Sequence, residues 1–329
     1  MTPAKPTAQN LATARKITNS IVEETAKVIV GRPDSIKLAV YGMVAGGNVL
    51  FEDFPGLAKT LLVKTMAQTV DLQFNRIQFT PDLLPADITG TYIYNMKTQT
   101  FNLRKGPIFA QILLADEINR APPKTQAALL EAMQEGQVTL EGTTQKLPTP
   151  FHVYATQNPI ESEGVYILPE AELDRFMLRI SMGYPDPEEE VEVLRRVEAW
   201  DGSPPQVRKV TTPENLMKVQ AVGRAIFVHN DLRHYIAQLV HFTRNDDRVQ
   251  VGSSPRGGIA LQALAKASAL YQGTDFATAD DVKEVAHAAL EHRILMRPEA
   301  SARGIRAKDV IQDALQRIPT PRVPQVARA

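Results

Sequence analysis

Phe51-Glu52-Asp53-Phe54-Pro55-Gly56-Leu57-Ala58-Lys59-Thr60 stands between the apolar Asn48-Val49-Leu50 and the helical opening Leu61-Leu62-Val63-Lys64. An apolar run, a tight turn on Pro55 and Gly56, and a Lys-Thr pair at a helix start together spell a phosphate-binding loop. The physical demand is that backbone N–H groups converge on a polyphosphate at a helix N-terminus, where the macrodipole also favours negative charge. In that reading Pro55, Gly56, Leu57 and Ala58 form the cradle, Lys59 reaches the terminal phosphates and the Thr60 hydroxyl holds magnesium.

The spelling departs from G-x-x-x-x-G-K-[ST] at Asp53 and Ala58, which stand where the pattern has glycine. Ala58 is expected close to helical φ/ψ, with no need of a positive φ. Asp53 is expected to turn its carboxylate away from phosphate, onto backbone N–H groups of its own turn. An ordinary strand-turn-helix fits this stretch as well as a nucleotide loop does, so the rest of the chain decides.

The 329 residues suffice for two domains, and 43% hydrophobic residues can build their cores. Lys+Arg and Asp+Glu are both 37, a balance that argues against a chain whose main task is neutralising a nucleic-acid backbone. The absence of Cys excludes disulfides, thiolate metal sites and Cys nucleophiles. No N-terminal signal-type apolar run occurs, and the longest apolar stretch, Leu38 to Phe51, is broken by Gly42, Gly46, Gly47 and Asn48. A soluble, cytoplasmic protein is expected. The six histidines lack metal-ligand spacing and read as structural.

Periodicity divides the chain into a disordered lead at 1–10, an α/β core at 11–185, a helical domain at 186–318 and a tail at 319–329. A helix is expected from Leu11 to Val30, ended by Gly31, and another from Pro33 to about Ala45. Strands are expected at 48–52, 73–80, 111–117, 152–156 and 177–180, with hairpins at about 91–104 and 138–148. The prolines of Gly183-Tyr-Pro-Asp-Pro interrupt the pattern, and beyond them it is helical.

Gln111-Ile-Leu-Leu-Ala-Asp116-Glu117 is an apolar strand topped by two acids. Open α/β sheets bind ligands at the carboxyl ends of their strands. There Asp116 can position magnesium and Glu117 can polarise a water for in-line attack on a γ-phosphate. Asn158 ends the strand before Pro159, and its amide could hold that water; taken alone it reads equally as an Asn-Pro turn. Arg175 and Arg256, taken alone, read as surface residues.

Three ordered strings carry more than any loop pattern. They are Leu113-Leu-Ala-Asp-Glu-Ile-Asn-Arg-Ala-Pro-Pro-Lys-Thr-Gln-Ala-Ala-Leu-Leu-Glu-Ala-Met-Gln-Glu135, Phe79-Thr-Pro-Asp-Leu-Leu-Pro-Ala-Asp-Ile-Thr-Gly90 and Leu168-Pro-Glu-Ala-Glu-Leu-Asp-Arg-Phe176. With the loop they resemble the MoxR family of AAA+ ATPases, over about Ile29 to Arg293. The resemblance implies a P-loop NTPase parallel sheet with a helix-2 insert and a pre-sensor-1 hairpin, followed by an all-α lid. It implies Lys59 and Thr60 as the Walker A pair, and Asp116 and Glu117 as the Walker B pair. Asn158 would then be the first sensor, Arg256 the second sensor from the lid, and Arg175 an arginine finger acting on a neighbouring subunit. Val30 and Gly31 would line the adenine pocket. ATP and magnesium are the implied cofactors. The implied assembly is a homo-oligomeric ring, expected to be hexameric. The implied work is chaperone-like remodelling of a client, such as a von Willebrand factor A domain protein or an enzyme complex. A nucleic-acid motor and a nucleotide-gated scaffold with little hydrolysis are the rival classes; the few basic residues of the hairpins (Lys97, Arg104, Lys105, Lys146) weigh against the first.

Overall fold

A computed structural model describes residues 5–158, 165–200 and 202–321. Residues 1–4 of the expected lead and 322–329 of the expected tail fall outside that range.

Five strands form one wholly parallel sheet: β1 (Val49–Glu52), β2 (Phe74–Gln78), β3 (Ile112–Asp116), β4 (His152–Gln157) and β5 (Leu178–Ile180). Their order across the sheet is β2-β3-β4-β1-β5. Both faces are covered, which is why the central strands read as unbroken apolar runs. Leu50, Leu113, Ala115, Val153 and Ala155 face a core shared with Leu129 and Leu130 of the helix Pro123–Glu135. The alternate residues Val49, Phe51, Ile112, Leu114 and Tyr154 face a second core, shared with the helices Ala8–Ala26 and Pro33–Ala45. That second core runs on without a break into the helical part of the chain, through Leu216, Leu239, Leu261, Leu264 and Val285.

The first helix begins earlier than its periodicity predicts, at Ala8, because the Thr7 hydroxyl caps it by accepting from the Asn10 N–H at 3.2 Å. It also stops earlier, at Ala26, and Val28 and Ile29 are buried in a turn rather than in a last helical turn. The proline-rich connection before residue 90 contains a short helix, Pro85–Thr89. The two expected hairpins are present, Gly90–Asn95 with Thr100–Lys105 and Gln137–Leu140 with Thr143–Lys146. The first exposes Ile93, Tyr94, Met96 and Phe101.

Beyond β5 the helix Pro187–Ala199 is capped by Asp186 and Glu189 in a reciprocal box. None of its residues is buried, and Trp200, which follows it, packs against the large core. Next come the helices Pro213–Ala225, Asn230–Asn245, Pro255–Gln272 and Ala279–Leu290. A two-stranded pair, Val249–Val251 with Leu295–Met296, interrupts the helical region, and a final helix, Ala307–Arg317, ends it, burying Val310, Ile311 and Ala314 at helical spacing. Among the described residues no helix is long and apolar enough to cross a membrane.

Candidate functional site

The parallel sheet brings the carboxyl ends of β1, β3 and β4 side by side, and the sequence places its polar residues at those ends. The turn after β1 leads into the helix Lys59–Thr69, so Lys59 and Thr60 stand at a helix N-terminus. Gly56 has φ +83°, as a cradle turn requires. Ala58 also has positive φ, +57° with ψ +17°, which corrects the expectation of near-helical geometry. The chain enters the helix from the left-handed region here, so glycine in the general pattern answers a backbone requirement that Ala58 meets with strain.

Lys59 is buried, and its ammonium donates to the backbone oxygens of Asp53 at 2.9 Å and Phe54 at 3.0 Å. Burial pulls its pKa below that of a free lysine, and the charges of Asp53, Asp116 and Glu117 act in the opposite direction. The Asp53 carboxylate is turned away from the cradle. Its oxygens accept from the Ser181 hydroxyl at 2.9 Å, from the Gly183 N–H at 3.3 Å and from the Met182 N–H. The expected direction is right, but the partners are not in its own turn; they belong to the chain leaving β5. A like-charge clash with phosphate is thereby avoided, and the loop is tied to a neighbouring segment.

Asp116 ends β3, and Glu117 follows in the left-handed region at φ +55°, ψ +50°. Thr156, on β4, joins them: its hydroxyl donates to Asp116 Oδ1 at 2.6 Å and accepts from the Glu117 N–H at 2.8 Å. From the edge strand β2, Arg76 grips Asp116 Oδ2 with Nε at 3.0 Å and Nη2 at 2.7 Å. The same Nη2 donates to Gln78 Oε1 at 2.9 Å, which leaves the Gln78 amide nitrogen to donate to Glu117 Oε2 at 2.7 Å. Arg120 Nη1 reaches that oxygen at 2.9 Å. Periodicity gives no hint of Arg76, Gln78 or Thr156. The available signal was polar residues at the carboxyl ends of two strands, Arg76 and Gln78 being two apart and so on one face.

Asn158 lies one residue past β4, and its backbone oxygen accepts from the Asn119 side chain at 3.2 Å. Val30 and Gly31 lie in the turn before the second helix. Gly31 has φ +65°, and a Cβ there would lie 2.2 Å from Glu189 Oε1. Arg32 pairs with Glu189 at 3.1 Å, and the ring of Phe54 stacks on that of Tyr184 at 5.1 Å. Residues 181–189 thus connect the loop with the turn holding Val30 and Gly31.

The two arginines are engaged elsewhere. Arg175 Nη1 donates to Gln134 Oε1 at 2.5 Å and to Leu130 O at 3.4 Å, both on the helix Pro123–Glu135. Arg256, in the first turn of the helix Pro255–Gln272, lies 3.7 Å from Asp174. The structure therefore gathers Lys59, Asp116 and Glu117, with Asn158 at the next strand end, and engages Arg175 with the helix Pro123–Glu135 and Arg256 with Asp174.

Comparison with known proteins agrees with this geometry. The model of the ATPase family associated with various cellular activities (AAA) matches residues 48–178, and that of the AAA lid domain matches residues 241–314. The chain is 42% identical to the chaperone MoxR1 of Mycobacterium tuberculosis, over 96% of this chain and 85% of that one. It is 45% identical to the protein YeaC of Bacillus subtilis, over 91% and 93% of the two chains. A crystal structure from Cytophaga hutchinsonii superposes with a TM-score of 0.89 at 42% identity, covering 95% of this chain and 98% of that one. Sheet order, helical lid and relatives converge: the chain belongs to the MoxR family of AAA+ ATPases.

Proposed function

We propose that the protein hydrolyses ATP in a ring, hexameric by family resemblance, and uses the resulting motion to remodel or mature a client protein. The observation that carries the reading is Lys59 at a helix N-terminus beside Asp116 and Glu117, with Asp53 turned out of the cradle. The residues fit the cofactor. Lys59 rests on carbonyl oxygens of its own loop, which a phosphate oxygen can replace, and the Asp53 carboxylate is held by residues 181–183. Bound ATP with magnesium would supply the scissile phosphoanhydride and a neutralising cation. Thr60 and Asp116 would hold the metal, and the turn at Val30 and Gly31 would take the base. Glu117 would orient and deprotonate the attacking water, with Asn158 as a second hydrogen-bonding group.

On this reading residues 11–185 form the nucleotide-binding core and 186–318 the lid, with Arg256 reaching from lid to nucleotide. Arg175, committed to the far end of another helix, would act on the site of the adjoining subunit. The name of the mycobacterial relative, a chaperone, supports a protein client. A partner with a von Willebrand factor A domain is our choice among such clients, and the cytoplasm our choice of compartment.

Glu117→Gln is the test. It should cut ATP turnover at least 100-fold and leave binding of a fluorescent ATP analogue unchanged. Turnover that survives the substitution would refute the catalytic assignment. The same variant held in ATP should retain its client in a pull-down.

A further inference from the structure

Arg293 does not belong to the site described above, yet it is the most completely engaged cation in the vicinity of Arg175. It follows the helix Ala279–Leu290, and its side chain is 2% exposed. Nε donates to Asp174 Oδ1 at 2.7 Å. Nη2 donates to the backbone oxygens of Asp174 at 3.1 Å and Phe176 at 2.6 Å. Nη1 donates to Met177 O at 3.1 Å and to Ala289 O of its own helix. A guanidinium has five N–H donors in a rigid fork, and these five bonds use that number. Four of them clasp the backbone and side chain on both sides of Arg175.

Neighbours on the helical side add to the clasp. The Ser254 hydroxyl, cap of the helix that carries Arg256, donates to Asp174 Oδ2 at 2.8 Å. His292 Nε2 bonds to Phe176 O at 3.1 Å, and Glu291 accepts from Arg179 Nη2 at 2.9 Å. Within residues 174–179, then, the side chain of Arg175 leaves toward the sheet-side helix while its flanks are held by the lid.

We propose that Arg293 is a positioning residue through which a protomer's own lid sets the orientation of the Arg175 it presents to its neighbour. The inference rests on the reading of Arg175 as a finger acting in trans. Lid movement driven by one site would thereby reach the next site around the ring chiefly through this buried guanidinium, which makes four of the lid's bonds to residues 174–177. A lysine cannot reproduce the clasp, because one ammonium cannot span three carbonyl oxygens and a carboxylate in fork geometry.

The test compares Arg293→Lys, Ser254→Gly and Arg175→Ala, each alone and mixed with Lys59→Ala protomers, whose own site is dead but whose Arg175 is intact. Arg293→Lys should keep binding of a fluorescent ATP analogue within about twofold, lower kcat about tenfold, and recover turnover when mixed. Ser254→Gly removes one contact to Asp174 while keeping an acceptable helix cap, and should show the same pattern at about threefold; it serves if Arg293→Lys does not fold. Unchanged kcat in the folded variants overturns the proposal. So does a loss that mixing fails to restore while Arg175→Ala is restored, since a fault in a protomer's own site stays with that protomer. If Arg175→Ala itself is not restored, the finger reading fails, and the proposal falls with it.

Discussion

Ala58 carries the clearest strain in the loop. A left-handed alanine costs about 1–2 kcal/mol, of which glycine is relieved, against the extra backbone entropy glycine loses on folding. Ala58→Gly should therefore stabilise the protein by roughly 0.5–1 kcal/mol and raise Tm by about 1 °C in a thermal melt. A lowered Tm would show that the positive φ is not strained. The two departures from the loop pattern were visible in the sequence, but their consequences were unequally legible. That Asp53 must avoid phosphate follows from charge alone. That it bonds to residues 181–183 does not, because those partners are more than a hundred positions away and are brought near only by the pairing of β1 with β5. Thr156 escaped for the same reason: a threonine in an apolar strand reads as a β-former until the register sets it beside Asp116.

At the scale of elements, the sheet was legible because its strands are buried on both faces and bounded by turn residues. The pair Val249–Val251 and Leu295–Met296 is too short to show a period, and the helix ends depended on caps such as Thr7 rather than on apolar spacing. One strand has a consequence for pH. His152 opens β4, wholly buried, with Nδ1 3.2 Å from Gly47 O and Nε2 3.1 Å from the Gln220 amide of the helix Pro213–Ala225. Burial pushes its pKa down to about 4 from 6.5. Between those values the unfolded chain binds a proton that the folded one refuses, so this contribution is complete above pH 6.5 and is lost as pH falls through 4. A shift of that size corresponds to about 3 kcal/mol. Buried His292, also pushed down chiefly by desolvation, acts in the same sense. Chemical denaturation at pH 7 and pH 4.5 should show wild type losing its advantage over His152→Gln on acidification; a constant gap would mean that His152 is not the titrating group.

For the whole molecule, the proposed role of Arg175 as a finger acting in trans would make one chain an incomplete catalyst. A finger supplied in trans is worth roughly 10³–10⁵ in rate, so ATP turnover per protomer should rise steeply with protein concentration and level off once rings form. Turnover that is independent of concentration, in a protein that sedimentation shows to be dissociating, would place the finger in its own site or deny it that role. The continuous core beneath the helical region bears on how such a ring would move, since the lid cannot swing freely without disturbing packing that begins at the sheet. Trp200 sits where that packing meets the helix after β5, and it is the chain's single tryptophan. Its indole is a built-in optical probe. Any rotation of the lid that changes the polarity around that ring should shift its emission maximum, so stopped-flow mixing with ATP can time the movement of unlabelled, unaltered protein.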